Sequence, residues 1–539
     1  MHLSALPLIL LLFTKFSSCI PTATQAFSAV PISKQIVSLS IEFCYIVDYL
    51  GDISGSNVLS KQLLQNIQDI SGVPPLIRIG GHTQDAAQYC SDCSETLVNV
   101  FAPGNLEAVN VTYNKNLFSI LNNHVPSKQK FIFGLNLGRN VEIFPQQEVA
   151  AAEQYLHDSR VQSYELGNEP DFFGASQTGG PWNVQIYTSR VVSWIKQIQA
   201  STKTKRGWQF GALAQEAKWQ GNFSIPEFND LGVPESIKPL VAYSDHTYPY
   251  SICSCMFFLP PCTLRTLLIQ AYLAATAALV SLPGLMNHTT TVNYFTQWIP
   301  SIQAAHSVGT LFYMGETGSV SCHGKKGVSN TMGAALWELD YVLNGATIGM
   351  DGVFFHMGTP FYYSMWQPVE FNGTAATVYP TCVSSLSCSC DSRKLMETCR
   401  YNTMIIMATA LSTFKTPYVA SIASPSDSPN IAIYALYPSA PASSATAPSK
   451  LIVLNMDYYA SESMSVRPKK GVNAGSILQS KSLRVSRFTA AGADATSGAT
   501  FAGQSWENQG KVSGKKLYEM APGGIVQISA SEGVLIEIS

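Results

Sequence analysis

At 539 residues the chain exceeds the size at which single hydrophobic cores stop growing, so two domains are expected. With 46% hydrophobic and 13% charged residues it reads as globular rather than disordered. Lys+Arg 33 against Asp+Glu 35 gives a net charge of -2 and, with no long basic block, argues against a nucleic-acid binder that works by phosphate neutralisation.

In chain order, the first feature is an apolar run, Leu3 to Phe13, followed by small and polar residues up to Ala23. It is too short to span a membrane and reads as a secretory signal peptide over residues 1–20. Sequons at Asn110, Asn222, Asn287 and Asn372 fit a secreted glycoprotein. With Cys19 in the leader, 11 of 12 cysteines remain for an oxidising compartment, where disulfides are the default. Cys90 and Cys93 form a lone C-x-x-C without a second pair or spaced histidines, which favours a local disulfide or other pairings over zinc.

From Ile36 to Phe355 eight short apolar runs recur, each followed by turn residues and a longer helix-like stretch: "IVSLSIEF", "PLIRIGG", "KFIFGLNLG", "VQSYELGNE", "WQFGALA", "LVAYSDHTY", "GTLFYMGE" and "MDGVFFHMG". Buried parallel strands read as near-continuous apolar runs, and eight alternating with helices predict an α/β fold, a (β/α)8 TIM barrel over residues 36–415. Three- and four-residue apolar spacing marks outer helices in "SNVLSKQLLQNIQDI" and "VQIYTSRVVSWIKQIQ". After the helix-like "CRYNTMIIMATALSTF" the texture turns to short alternating strands, "IAIYALY", "KLIVLNM", "KSLRVSRFT", "GGIVQISA" and "GVLIEIS". These predict a C-terminal β-sandwich over 416–539.

The fourth run enters Gly-Asn-Glu-Pro. Proline fixes its own φ and biases the preceding residue toward extended backbone, so Glu169 is expected to stand stiffly at a strand's end; the alternative is a surface turn with Glu169 in water. Glu316, in "LFYMGETGSVSCHG", ends run seven. Reactive groups of α/β barrels sit at the C-terminal strand ends, and two carboxylates at one mouth can divide glycoside hydrolysis between nucleophile and acid.

The ordered set "SIEFCYI", "IRIGGHTQD", "YELGNEPDFF", "SDHTYPY" and "YMGETGSVSC" resembles glycoside hydrolase family 79, which contains β-glucuronidases and heparanases, in a fungal-type secreted form. The resemblance covers nearly the whole chain and implies that residues 21–35 join the β-sandwich. Position by position, it implies Glu169 as general acid/base, Glu316 as nucleophile, and Asn168 as the amide bonding the sugar 2-hydroxyl. Tyr248 is placed to hold Glu316 through its hydroxyl, and His246 to lend a hydrogen bond to the site. Glu42, Gln84 and Asp85 match places where the family contacts sugar hydroxyls, their alternative being solvated loop positions. For a glucuronate carboxylate the candidates are Lys325 and Lys326 or, favoured by the resemblance, Tyr362 and Tyr363 after run eight.

Two segments depart from family-like text, 252–281 and 382–399, and hold seven of the 11 cysteines. A charge-free run from Thr266 to Met286 begins in the first and is long enough for a membrane helix, but a span there would tear the barrel between strands six and seven. Both read as retained intron sequence, the alternative being lid insertions. The expectation is a secreted retaining β-glucuronidase acting on terminal glucuronic acid or its 4-O-methyl ether, with no metal or organic cofactor, no nucleic-acid partner and no membrane span. Its rivals are an endo-acting heparanase-like enzyme, disfavoured because the basic clusters "TKTKR", "GKKG" and "RPKK" are small, and a carbohydrate-binding protein without turnover.

Overall fold

The computed structural model describes residues 29–214, 223–252, 280–369, 396–397 and 399–539. The expected signal peptide, the sequons at Asn222 and Asn372 and nearly all of segments 252–281 and 382–399 lie outside these residues. No helix among the described residues is long and apolar enough to cross a membrane.

All eight predicted runs are strands, and they close into one parallel barrel. In order they are β1 (Val37–Glu42), β2 (Ile77–Gly80), β3 (Phe131–Leu135), β4 (Val161–Leu166), β5 (Gly207–Leu213), β6 (Leu240–Thr247), β7 (Leu311–Thr317) and β8 (Gly352–Met357). β8 pairs with β1, which closes the ring. Helix α1 (Val58–Ser71) starts where the Asn57 side chain accepts from Ser60 N–H and stops at left-handed Gly72. Helix α2 (Val184–Thr202) is capped in the same way by Asn183 on Ile186 N–H.

The barrel interior is not uniformly apolar. Ser40, Arg78, Ser163, Glu165, Gln209 and Ser244 are all at most 1% exposed, while the alternate residues Ile77, Ile79, Tyr164 and Leu166 join the apolar packing. Register shifts interrupt the ladder between Asp245 and His246 and between Met314 and Thr317. Irregularities of this kind re-aim side chains, and here they fall beside His246 and Glu316.

An insertion after β2 forms a three-stranded sheet, Ala87–Tyr89, Leu97–Phe101 and Ala108–Tyr113, and carries the Cys90–Cys93 disulfide. Asn110 lies on its last strand, and Asn287 caps the helix that begins at His288.

Helix α3 (Met332–Thr347), which precedes β8, and helix α4 (Tyr401–Leu411), which follows it, lead to the second domain. Its large antiparallel sheet contains β9 (Tyr418–Ile422), β10 (Ile431–Tyr437), β11 (Lys450–Asn455), β13 (Ser482–Thr489) and β15 (Glu532–Ile538). β12 (Lys469–Asn473) and β14 (Ile525–Ser529) form a facing pair, and a separate apolar core lies between. The edge strand of the large sheet is Val30–Pro31, which pairs with β9. β9 and β12 escape the alternation pattern because they are short and partly exposed.

Buried polar contacts gather at the domain junction, and one of them, from Tyr434 to Asp340, crosses it. Arg400 pairs with Glu338 of α3, and Tyr434 of β10 donates to Asp340 of α3 at 2.7 Å. His288 Nδ1 meets the same Asp340 at 2.8 Å.

Candidate active site

A cavity of about 460 Å³ opens at the C-terminal ends of the barrel strands. It is lined by Glu42, Asn168, Glu169, Tyr248, Glu316 and Tyr363 among the expected residues. Sequence reasoning passed over His82, Glu107, His323 and His356, which also line it. His356 carried one legible signal, a polar residue at the end of an apolar run; Glu107 and His323 sit on loops with no motif.

Glu169 does not adopt the extended backbone that Pro170 favours. β4 ends at Leu166, Gly167 takes φ 89°, and Glu169 is left-handed at φ 52°, ψ 51°. The surroundings override the local preference. Asp85 accepts N–H bonds from Leu137, Gly138 and Asn168 at 2.8, 2.8 and 2.9 Å, and Glu169 N–H donates to Ala212 at 2.9 Å. A non-glycine residue in this region costs about 1–3 kcal/mol and persists where its neighbours over-determine it. Asp85 therefore acts beneath the site, and it does not line the cavity.

Gln84 is fully buried and also absent from the lining; its Oε1 accepts from Arg78 Nη2 at 3.3 Å. Tyr362, Lys325 and Lys326 are not brought into the lining either, and Lys325 Nζ donates to the Val280 carbonyl at 2.8 Å. The side chains that line the cavity there are His82, His323 and His356 instead.

Glu316 sits among donors. Arg78 Nη1 reaches its Oε2 at 3.0 Å, the Tyr248 hydroxyl donates to Oε1 at 2.8 Å, and His356 Nδ1 stands 3.5 Å from Oε2. Burial opposes its ionisation, but His356, Arg78 and Tyr248 outweigh burial and hold the carboxyl down to about 2. Glu169 lies in the opposite situation: burial, and then the charge of Glu316, push it up to about 8. His246 Nδ1 is 3.2 Å from Glu169 Oε1; burial and then Arg78 push the imidazole down to about 4, leaving it neutral at pH 7.

Arg78 ties these groups together. Besides Glu316 it bonds Glu165 through Nε at 2.8 Å, Ser40 through Nη1 at 3.0 Å and Asn168 Oδ1 through Nη2 at 2.8 Å. Because Arg78 takes the Asn168 oxygen, the Asn168 amide NH2 remains to donate toward a ligand.

Glu42 is held by Thr83 and His82 N–H groups at 2.7 and 3.2 Å and by His356 Nε2 at 3.1 Å. Gly81, at φ 78°, makes this approach possible, since a Cβ there would collide with the Glu42 carboxylate. In the same lining Glu107 pairs with His323 Nε2 at 3.0 Å.

The arrangement is two carboxylates at one mouth, one ionised and one protonated near neutrality. Ligand atoms of Glu169, His246 and Glu316 lie within 4.8 Å of one another, the one such grouping among the described residues that could hold a cation. Its oxygens are already engaged: Arg78 and Tyr248 donate to Glu316, and His246 Nδ1 is hydrogen-bonded with Glu169.

Residues 433–535 match the profile described as "Glycosyl hydrolase family 79 C-terminal beta domain". The chain is 30% identical over 383 residues to a β-glucuronidase of Aspergillus niger, covering 65% of this chain and 64% of that protein. It is 29% identical over 374 residues to a β-glucuronidase of Neurospora crassa, covering 65% and 62%. The matched region thus spans a little under two thirds of the length of these curated relatives. A solved 4-O-α-L-rhamnosyl-β-D-glucuronidase from Fusarium oxysporum 12S, in a Rha-GlcA complex, shares the fold at TM-score 0.73 and 22% identity, over 95% of this chain and 97% of that one. The barrel with its sandwich, the family 79 profile on that sandwich and the identity to two relatives agree, and the chain is similar to β-glucuronidases over 65% of its length and to the C-terminal domain of glycoside hydrolase family 79 over residues 433–535.

Proposed function

We propose that the chain is a secreted, exo-acting β-glucuronidase that releases terminal glucuronic acid, or its 4-O-methyl ether, with retention of configuration. One observation carries the reading: oxygens of Glu169 and Glu316 lie within 4.8 Å of each other, and the two carboxyls hold opposite protonation states. Retaining glycosidases place the pair about 5–5.5 Å apart, whereas inverting ones leave about 6.5–9.5 Å for a water. Relatives named β-glucuronidase support the substrate class.

Glu316, ionised and held by Arg78 and Tyr248, attacks the anomeric carbon while Glu169 donates its proton to the leaving oxygen. Formation of the glycosyl ester removes the Glu316 charge, and with it one of the two causes of the raised Glu169 pKa. Glu169 then becomes the base that takes a proton from water, which attacks the same carbon and frees Glu316. Asn168, oriented by Arg78, bonds the 2-hydroxyl beside the reacting centre. Tyr363, with His82 and His323, lines the cavity where a substrate carboxylate would be bound.

Purified protein given p-nitrophenyl β-glucuronide and β-glucoside, beside Glu316→Ala, tests this. Glucuronide-selective turnover that disappears in the variant is expected, and proton NMR should show the β-anomer as first product. A first-formed α-anomer, or activity surviving in the variant, contradicts the assignment.

A further inference from the structure

Most polar groups of the lining come from one arc of the barrel mouth: Glu42 from β1, His82 and Glu107 from the connection after β2, Glu316 and His323 from β7 and its loop, His356 and Tyr363 from β8 and beyond. Facing them, the arc from β4 to β5 offers Asn168, which serves the sugar 2-hydroxyl in the reading above, and then Glu169, Phe172 and Ala214. Because the acid protonates the leaving oxygen, whatever stands beside Glu169 and away from that polar arc meets the leaving group.

Phe172 is 63% exposed. A single exposed apolar side chain on a convex surface needs no explanation, but this one lines the cavity three residues after the acid. Its turn, Pro170–Phe172, is pinned around it. Trp182 Nε1 donates to the Pro170 carbonyl at 2.7 Å, Phe173 stacks on Trp182 with centroids 6.0 Å apart, and Arg190 lies 4.7 Å over the other ring partner's centroid, that of Trp182. Asp171 accepts from Ala214 N–H at 3.0 Å, and Phe172 N–H donates to the Glu169 carbonyl at 2.9 Å. The flanking residues Asp171 and Phe173 are thus committed to the protein, and the ring between them faces the cavity on a rigid support.

We propose that Phe172 is the platform of the leaving-group subsite, stacking on a six-membered ring attached to the scissile oxygen. A pyranose presents an apolar C–H face for this and an aryl group presents two, so both share the required chemistry. The proposal rests on the glycosidase reading above. Preorganisation of the turn means that little ordering cost accompanies binding.

β-Glucuronosyl fluoride separates the two ideas, because its leaving group is one atom and cannot stack. Its turnover by the wild type reports the glycosidase reading alone. The platform is reported by the kcat/KM of phenyl β-glucuronide, and of a disaccharide with glucuronate at its non-reducing end, each taken relative to the fluoride. Phe172→Ala should lower the ring-bearing ratios by about 3- to 10-fold, with fluoride hydrolysis unchanged, and Phe172→Tyr should restore them. A fall for only one substrate identifies the ring that the platform takes. Unchanged ratios, or an equal fall that includes the fluoride, overturn the proposal. If the wild type leaves the fluoride intact, the glycosidase reading fails, and phenyl against methyl β-thioglucuronide binding decides the platform: a phenyl preference lost in Phe172→Ala supports it, and no preference overturns it.

Discussion

Arg78 donates to Glu316 at 3.0 Å from a position inside the barrel where its guanidinium has no solvent contact. The same cation neutralises Glu165, so removing it strands two buried carboxylates. Arg78→Met should destabilise the fold by about 3–5 kcal/mol, measured by urea unfolding. Arg78→Lys keeps the charge but not the fork that serves Glu316, Glu165 and Asn168 together, and should move the acidic limb of kcat/KM to higher pH. An acidic limb unmoved in Arg78→Lys would show that Tyr248 and His356 suffice to keep the nucleophile ionised.

The raised pKa of Glu169 sets the other limb. An acid must be protonated to act, so kcat/KM should fall as pH rises through about 8. In Glu316→Gln, where the neighbouring charge is gone, Glu169 should titrate lower than in the wild type, read by carbon-13 NMR of its carboxyl. An unchanged value would assign the whole shift to burial.

Replacing the acid itself distinguishes its role from that of the nucleophile. Glu169→Gln should lower kcat/KM of glucuronides with poor leaving groups by about 10²–10⁴-fold while sparing kcat/KM of the fluoride, whose departure needs no protonation, and should lower kcat for both because the second step loses its base. Azide should rescue the second step and yield the β-configured glucuronosyl azide. Rescue with inverted configuration would exclude a covalent intermediate on Glu316.

In the proposed mechanism Asp85 positions rather than reacts, holding three backbone N–H groups beneath the site. Asp85→Asn replaces an acceptor of three backbone N–H groups by an amide that presents donors of its own, which should cost about 1–3 kcal/mol of stability. With the Asn168–Glu169 turn loosened, kcat should drop more than KM rises. A purely structural role would lower the yield of folded enzyme and leave kcat per active site intact, as titrated with a mechanism-based inactivator.

The domain junction carries its own pH dependence. Burial opposes the charge on His288, yet the Asp340 carboxylate holds its pKa above the ordinary histidine value. The contribution is fully present below about pH 6.5, where the unfolded histidine is also protonated, and it is lost as pH rises through the folded value. Loss of a hydrogen bond to a charged group amounts to about 1.5–3 kcal/mol, so His288→Gln should narrow the stability gap between pH 6 and pH 9 in urea titrations. A gap of the same size in the variant would move the dependence elsewhere.

Much of this architecture was legible before any coordinates. Each of the eight apolar runs became a barrel strand because burial on both faces leaves an unbroken apolar signature. Glu169 and Glu316 were visible because each ends such a run. Arg78 sat in plain view as a charge inside "PLIRIGG", but nothing local says that a mid-strand arginine points inward to meet two carboxylates. Glu107 and His323 come together across 216 residues, a pairing that topology creates and no spacing announces. The left-handed backbone of Glu169 runs against its local preference, since Asp85 and Ala212, remote in sequence, fix the turn.

Val30–Pro31 belongs to the sandwich although the barrel follows it directly and most of the chain separates it from its partner β9. A genetic cut near Thr416 would therefore not liberate an independent module. The excised fragment would carry Tyr418–Ile422 as an uncovered sheet margin, with backbone donors and acceptors open to other copies. Dissecting the protein for expression calls for grafting the 29–36 segment onto that fragment, failing which self-association is the expected product.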